Sequence, residues 1–298
     1  MRRILVLRGG ALGDFIVTLP ALALLRRRWP DARIELAGNA TAAALGVDAG
    51  VLDAAHAQHE ARWAALYATE PVPTEFARWL DTFDLVVNFW PDPDGELRRK
   101  FPRRADQTFI HAEATPRIAP AAAHYRESLG ALALGPGDDW LPLRGGAEER
   151  SPTPRIAIHP GSGSPRKNWP AERWLELARR LREELGAEVM FVLGEAEPAH
   201  WAARATSGAD GFGFAVAPPL RELSDALARC TLFLGHDSGV SHLAAACGVP
   251  CVLLFGPTDP AMWAPPAQHV HVIRRGAALA AISVEDVRAA ARRAWPAA

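Results

Sequence analysis

The chain has 298 residues, 49% of them hydrophobic and 22% charged, with a formal net charge of −1. That is enough apolar material for two domains with full cores, and the charge balance gives no reason to expect nucleic acid as a partner. The three cysteines (Cys230, Cys247, Cys251) leave one over from any pairing, and no Cys/His set has zinc-finger spacing, so they read as buried thiols of a cytosolic protein. The opening Met1-Arg2-Arg3-Ile4-Leu5-Val6-Leu7 has too short an apolar run for a signal peptide, and no run approaches the length of a membrane span. A soluble, cytoplasmic protein is expected.

In chain order, residues 4–7 read as a buried strand, ended by Arg8-Gly9-Gly10. A helix is expected from Gly13 or Asp14 to Trp29, with Phe15, Leu19, Leu22 and Leu25 at helical spacing; Pro20 predicts a kink or a restart within it. Residues 33–38 make a second strand, and the Ala-rich chain from 41 to 79 reads as helices with short connections. Residues 84–90 are a strand ending in the turn Pro91-Asp92-Pro93-Asp94-Gly95, after which Arg98, Arg99, Lys100, Arg103 and Arg104 form a basic cluster. A helix passes through residues 124–129. From 135 to 154, Gly, Pro and charged residues replace apolar periodicity, which predicts a linker between domains 1–150 and 151–298.

The second half repeats the alternation. Residues 155–159 are a strand, 160–165 a small-residue loop, the chain after Trp169-Pro170 a helix, 188–194 a strand and 220–229 a helix. Then come the apolar run 231–234, the polar turn Gly235-His236-Asp237-Ser238-Gly239-Val240-Ser241-His242, a small-residue helix, a stop at Gly248-Val249-Pro250, and the strand 251–255. That is one βαβ unit of a parallel sheet. Ser283-Val284-Glu285-Asp286 matches a capping box for a last helix running to Trp295, which is expected to pack back on the first domain. The fold class is α/β with parallel sheets.

Four polar or small-residue segments follow strands: 9–14, 88–95, 159–167 and 235–242. Every α/β protein turns after its strands, and Gly and Ser suit such turns; ligands of these sheets also bind there. The first segment carries Gly9, Gly10 and Gly13, but Arg8 stands where a dinucleotide fingerprint needs its first Gly. Gly38-Asn39 stands where that fingerprint needs an acid, which argues against NAD, and no Gly-Lys-Ser/Thr marks a Walker A loop. Asp14, at a helix amino end, is either a cap or a general base. The loop with Gly161, Ser162, Gly163, Ser164, Arg166 and Lys167 is either a solvated turn or a phosphate cradle neutralised by Lys167. Ser238 and Gly239 suit a diphosphate. Asp237 does not, since carboxylate and phosphate repel, and it either caps the helix or accepts a sugar hydroxyl. His242 follows one turn later at the same mouth. Asp92-Pro93-Asp94 has the D-x-D form of some metal-dependent sugar transferases, yet a Pro/Gly turn explains both aspartates and no metal is expected. The basic cluster is a solvated face, or it receives a phosphorylated or acidic acceptor.

Together these segments resemble glycosyltransferase family 9, the heptosyltransferase-like enzymes of lipopolysaccharide core assembly. The resemblance runs through Arg8-Gly9-Gly10-Ala11-Leu12-Gly13-Asp14 with Thr18-Leu19-Pro20-Ala21-Leu22, and through His159-Pro160-Gly161-Ser162 with Lys167-Asn168-Trp169-Pro170. It continues in Asp237-Ser238-Gly239-Val240-Ser241-His242-Leu243-Ala244-Ala245-Ala246 and Phe255-Gly256-Pro257-Thr258-Asp259-Pro260. The resemblance implies a GT-B architecture, two Rossmann-like domains facing across a cleft, the first for the acceptor and the second for the nucleotide-sugar donor. It implies inverting, metal-independent transfer of a sugar, typically heptose from ADP-heptose, onto a hydroxyl of a lipopolysaccharide-core or related glycan. Asp14 then matches the general base and Lys167 the cation facing the leaving diphosphate. Gly13, Gly161, Ser162, Asp237, Ser238, Gly239 and His242 match donor-binding positions, and Glu197, or Glu195 in its place, the ribose-binding acid. Acceptor contacts are expected at Asn88, Arg98, Arg99 and Lys100. The expected partners are a nucleotide sugar and a glycan or glycolipid acceptor, with no further cofactor and no nucleic acid. A monomer with at most peripheral contact with the inner membrane is expected. A sugar-nucleotide epimerase or hydrolase, and a nucleotide-sugar-binding protein without turnover, are the competing readings.

Overall fold

The computed structural model describes residues 1–143, 153–194, 199–208 and 210–296. The chain divides into two compact units, Met1–Leu141 and Pro142–Ala298, and the division falls inside the Gly- and Pro-rich stretch that interrupts the apolar pattern.

Unit 1 runs β1 (Arg3–Arg8), α1 (Leu12–Ile16), α2 (Leu19–Arg28), β2 (Arg33–Gly38), α3 (Ala40–Asp48), β3 (Ala54–Ala57), α4 (Thr74–Leu80), β4 (Leu85–Asn88), α5 (Glu96–Lys100), β5 (Thr108–His111) and α6 (Ala121–Glu127). Its strands form one parallel sheet in the order β3-β2-β1-β4-β5. Ile4, Leu5, Val6 and Leu7 are fully buried because a central parallel strand is covered on both faces. The helix expected after β1 is two helices. Pro20 sits in the first turn of α2, where its missing N–H costs nothing, so the chain restarts there. Thr18 Oγ1 donates to the Asp14 carbonyl at 2.8 Å across the break.

Unit 2 runs β6 (Arg155–Ile158), α7 (Ala171–Leu185), β7 (Glu188–Leu193), α8 (Ala199–Ser207), β8 (Gly213–Val216), α9 (Leu220–Ala228), β9 (Leu232–His236), α10 (Gly239–Ala246), β10 (Cys251–Phe255), α11 (Pro260–Trp263), β11 (Val270–Arg274) and α12 (Val284–Ala294). Its sheet is also parallel, in the order β11-β10-β9-β6-β7-β8. Trp174, Leu177 and Leu181 on α7 are fully buried against it. The Ser283 capping box forms as the sequence predicts. α12 lies against α7, β9, β10 and β11 of its own unit.

Four strands escape the sequence pattern: β3, β5, β8 and β11. All four are sheet edges. The Ala-rich chain around β3, which propensity assigns to helix, pairs Ala54 with Glu35 and Ala57 with Gly38, so tertiary pairing overrides local preference. The three cysteines are buried free thiols, and burial pushes the Cys230 thiol up to about 12. No helix among the described residues is long and apolar enough to cross a membrane.

Candidate functional site

Each sheet has one place where the strand order reverses: between β1 and β4 in unit 1, and between β6 and β9 in unit 2. Loops leaving the carboxyl ends of those strands diverge and open a crevice, which is where such sheets bind ligands. Most of the side chains singled out from sequence lie on these loops.

In unit 2 the loop after β6 is fixed to the end of β9 by His236. The Trp169 N–H donates to His236 Nε2 at 2.8 Å, so the proton is on Nδ1, which faces the Gly161 carbonyl at 3.3 Å. One neutral imidazole thus holds both ends of the loop. His236 is fully buried, with Trp174 edge-on to it at 5.2 Å. Burial lowers its pKa to about 3; the Gly161 carbonyl opposes this, and His159 and Lys167 add to it. Within the loop, Ser162 Oγ lies 2.6 Å from Asn168 Oδ1 and 2.8 Å from the Ser164 carbonyl, so this hydroxyl shapes the loop.

Lys167 crosses from the β6 loop to the β9 loop. Its Nζ lies 3.1 Å from Asp237 Oδ2 and 3.2 Å from the Asp237 carbonyl oxygen. Asp237 is therefore a partner of Lys167 and not the helix cap. The cap of α10 is Ser238, whose Oγ accepts from the Ser241 N–H. Ser241 Oγ donates to the His236 carbonyl at 2.5 Å, tying the helix start to β9. With Ser241 taken, the Gly239 and Val240 N–H groups remain at a helix amino end, which cannot pair them internally. Beside them stands a cation, a combination whose electrostatics suit an anion. His242 is buried in the same turn.

In unit 1 the loop after β1 presents Asp14. Its Oδ2 accepts from the Ala11 N–H at 2.9 Å, and its Oδ1 from Arg8 Nη2 at 3.1 Å. Arg8 is only 6% exposed. It also reaches Thr18 Oγ1 and Tyr125 Oη and lies 4.4 Å over the Tyr125 ring. The Asp14 side chain remains 35% exposed while both oxygens are oriented. Gly10 has φ +100°, and a Cβ there would come within 2.5 Å of Asp14 Oδ2, so this turn requires glycine. Gly13 lies in the first turn of α1 beside Asp14.

The expected acceptor residues divide. Asn88 is fully buried, with Oδ1 accepting from the Trp90 N–H and Nδ2 3.0 Å from His111 Nδ1, so its amide shapes the turn after β4. Arg98, Arg99 and Lys100 close α5; Arg98 and Arg99 line a separate pocket of about 650 Å³ with Asp92, Asp94, His111 and Glu113. The Asp92 carboxylate accepts from the Leu97 and Arg98 N–H groups, and no cluster of three metal-binding side chains occurs among the described residues. Glu195 and Glu197 lie outside the described residues.

Arg8 and His236 are the positioning residues that motif reading leaves without a role. The one signal for either is a polar residue ending a fully apolar strand.

The His236 arrangement makes stability depend on pH with a definite sign. Neutral when folded down to about pH 3 but titrating near 6.5 when unfolded, it contributes fully above 6.5 and loses its contribution as pH falls below that value. Between pH 6.5 and 5, above the carboxylate range, denaturant unfolding should show a loss of about 2 kcal/mol. That slope should be smaller in His236→Asn; equal slopes in the two proteins would remove His236 as its source.

Against known proteins, the model of glycosyltransferase family 9 (heptosyltransferase) matches residues 121–288, more than half of the chain. Lipopolysaccharide heptosyltransferase 1 of Pseudomonas aeruginosa is 36% identical over 94 residues, which is 32% of this chain and 26% of that protein. The matched segment thus spans about a quarter of that curated relative. A family 9 glycosyl transferase from Veillonella parvula superposes with a TM-score of 0.80 at 23% identity, covering 98% of this chain and 97% of the other. An Escherichia coli heptosyltransferase solved with ADP gives 0.72 at 21%, covering 98% and 99%. The two parallel sheets therefore have the GT-B fold of these structures. By the family match, the chain belongs to glycosyltransferase family 9.

Proposed function

We propose that the chain is an inverting, metal-independent glycosyltransferase that moves heptose from ADP-heptose onto a hydroxyl of a lipopolysaccharide-core or related glycan. In this reading it acts as a cytoplasmic monomer with at most peripheral contact with the inner membrane. The observation that carries the reading is the Lys167–Asp237 contact, which joins the two loops at the reversal point of the second sheet, beside the open N–H groups of α10. A diphosphate entering there displaces the Asp237 carboxylate from Lys167. Asp237, repelled by phosphate, then suits a hydroxyl of the donor sugar. The ADP bound to the E. coli relative supports adenosine as the nucleoside.

The reaction is a displacement at the anomeric carbon. The acceptor oxygen bonds to that carbon as its bond to the phosphate oxygen breaks, and the acceptor proton passes to Asp14. The charge that develops on the leaving ADP faces Lys167 and the helix N–H groups, where fixed donors are most effective. Asp14 suits the base because Arg8 and the Ala11 N–H hold it in one orientation while it stays open to solvent. It also separates this reading from a binding protein without turnover, which has no use for an oriented carboxylate on the other unit.

Asp14→Asn is expected to lower kcat by about two to four orders of magnitude with ADP affinity kept within about twofold of wild type; turnover close to wild type would remove the base. Lys167→Ala is expected to weaken ADP binding about tenfold or more in calorimetry, and unchanged affinity would refute the phosphate site. Wild-type transfer should persist in excess EDTA, and its loss would return attention to Asp92 and Asp94.

A further inference from the structure

Unit 2 has a cavity at the end of its sheet opposite to the Lys167 and Asp237 loops. It encloses about 830 Å³ at the amino ends of β6, β7 and β8, and its walls include Arg155, Arg182, Glu188, Met190, Phe212 and Phe214. α7 separates the two places. It starts just after the Lys167 loop and ends beside Gly186 in the cavity wall, and its 15 residues span about 22 Å. Nothing in the transferase reading uses this cavity.

Its two arginines differ. Arg155 sends Nε and Nη2 to one oxygen of Glu188, at 3.1 and 2.8 Å, and is neutralised there. Arg182 has no carboxylate partner among the described residues. Its Nη1 donates to the Asp210 and Gly211 carbonyls at 3.2 Å each, and its guanidinium lies 4.8 Å over the Phe212 ring. The Asp210 carboxylate is itself taken by Arg179 and Arg204. One nitrogen and one ring thus fix the plane of Arg182, while Nε and Nη2 make no hydrogen bond to the described residues. That edge of a guanidinium is the fork that receives both oxygens of a carboxylate or two of a phosphate.

Beside the fork the cavity is apolar. Val189 and Phe212 are buried, Met190 and Phe214 half-buried, and the Phe214 ring stacks on Phe191 with centroids 5.6 Å apart. Gly213 stands opposite Met190 in the register of β7 and β8 and is exposed. Its φ lies outside the left-handed region, and a Cβ there would meet no atom closer than 3.7 Å, so neither conformation nor crowding demands glycine. A glycine inside a strand weakens it and marks places where another molecule comes close; here it leaves the floor beside Met190 open. The flexible, polarisable thioether of Met190 adapts to whatever lies on that floor.

We propose that this cavity binds a small amphipathic acid, with its carboxylate or phosphate on the Nε/Nη2 edge of Arg182 and its apolar ring or chain over Met190, Gly213 and Phe214. A neutral ligand leaves the fork unfilled, and an inorganic anion leaves the floor uncovered. The volume is that of a site for a small organic molecule. The site is independent of the donor loops and of the reaction assigned to them.

The chain has three methionines, of which only Met190 lines the cavity. Methyl-13C-methionine NMR on the full chain therefore reports the site by one resonance, assigned with Met190→Leu, and excess ADP in the sample competes for the donor loops. The acidic probes are 2-naphthoate and 2-naphthyl phosphate, the neutral one is 2-naphthalenemethanol, and inorganic phosphate is the bare head group. At least one acid is expected to shift the Met190 methyl saturably and to bind at least about tenfold more tightly than the alcohol or inorganic phosphate; the tighter of the two acids identifies the head group. Arg182→Gln should weaken that binding about tenfold or more. Gly213→Val, which suits a strand and fills the floor, should weaken it comparably and serves if Arg182→Gln does not fold. A Met190 methyl unmoved by both acids, shifts confined to Met262, equal affinity for the alcohol, or unchanged binding in the variants would overturn the proposal. ADP calorimetry on the same samples keeps the two readings apart, since a chain that binds the acid but no ADP loses the donor assignment and keeps this site.

Discussion

One imidazole determines the geometry of the second unit's loops. His236 ends a central strand, accepts the Trp169 N–H with one ring nitrogen and faces the Gly161 carbonyl with the other. A loop with two glycines and two serines would otherwise sample many conformations, and ordering it costs entropy. Because both anchors use the same rigid ring, the loop's span is fixed to the width of an imidazole, and Lys167 on its far side is delivered to the β9 turn. The ring must be neutral to accept and donate at once, and its burial beside Trp174 keeps it so.

Unit 1 solves the same problem with a cation. Arg8 also ends a central strand and is also buried, but it offers several donors in a fixed fork and no acceptor. It ties together Asp14, Thr18 and Tyr125, so the start of α2, the strand end and the carboxylate are set by one side chain. The two units thus share an arrangement: an apolar strand, a buried polar side chain at its carboxyl end, and a charged side chain held in the loop beyond. Strand order explains why it is these loops, since only at the reversal point do neighbouring connections leave to opposite faces.

This arrangement also explains what the sequence could and could not convey. Central strands such as Ile4–Leu7 and Leu232–Leu234 are buried on both faces and appear as unbroken apolar runs, whereas Ala54–Ala57 and Val270–Arg274, at sheet edges, mix small, polar and apolar residues and give no such run. The loops after central strands stand out by composition, which is how Asp14, Lys167 and Ser238 can be singled out. Their contacts cannot be read in the same way. Lys167 meets Asp237 across seventy residues, and no local pattern records that this carboxylate, read as a helix cap or a partner for a sugar hydroxyl, pairs with a lysine while its neighbour Ser238 makes the cap. The contacts of Asn88 are equally invisible: it stands at a strand end beside the loops, and its amide bonds to the Trp90 N–H and to His111.

If the donor binds as proposed, the Lys167–Asp237 contact has a consequence for selectivity. A lysine beside open helix N–H groups would attract any small anion, including the chloride and inorganic phosphate of the cell. With a carboxylate already on the lysine, an incoming group gains only the difference between its own attraction and that of Asp237, and it must also tolerate the displaced negative charge nearby. A singly charged ion falls short on both counts. A ligand succeeds when it brings more than one phosphate and, in the same molecule, a hydroxyl for Asp237 to turn to. Under the proposed function the ion pair acts as a filter, which answers to anionic charge and a sugar hydroxyl presented together.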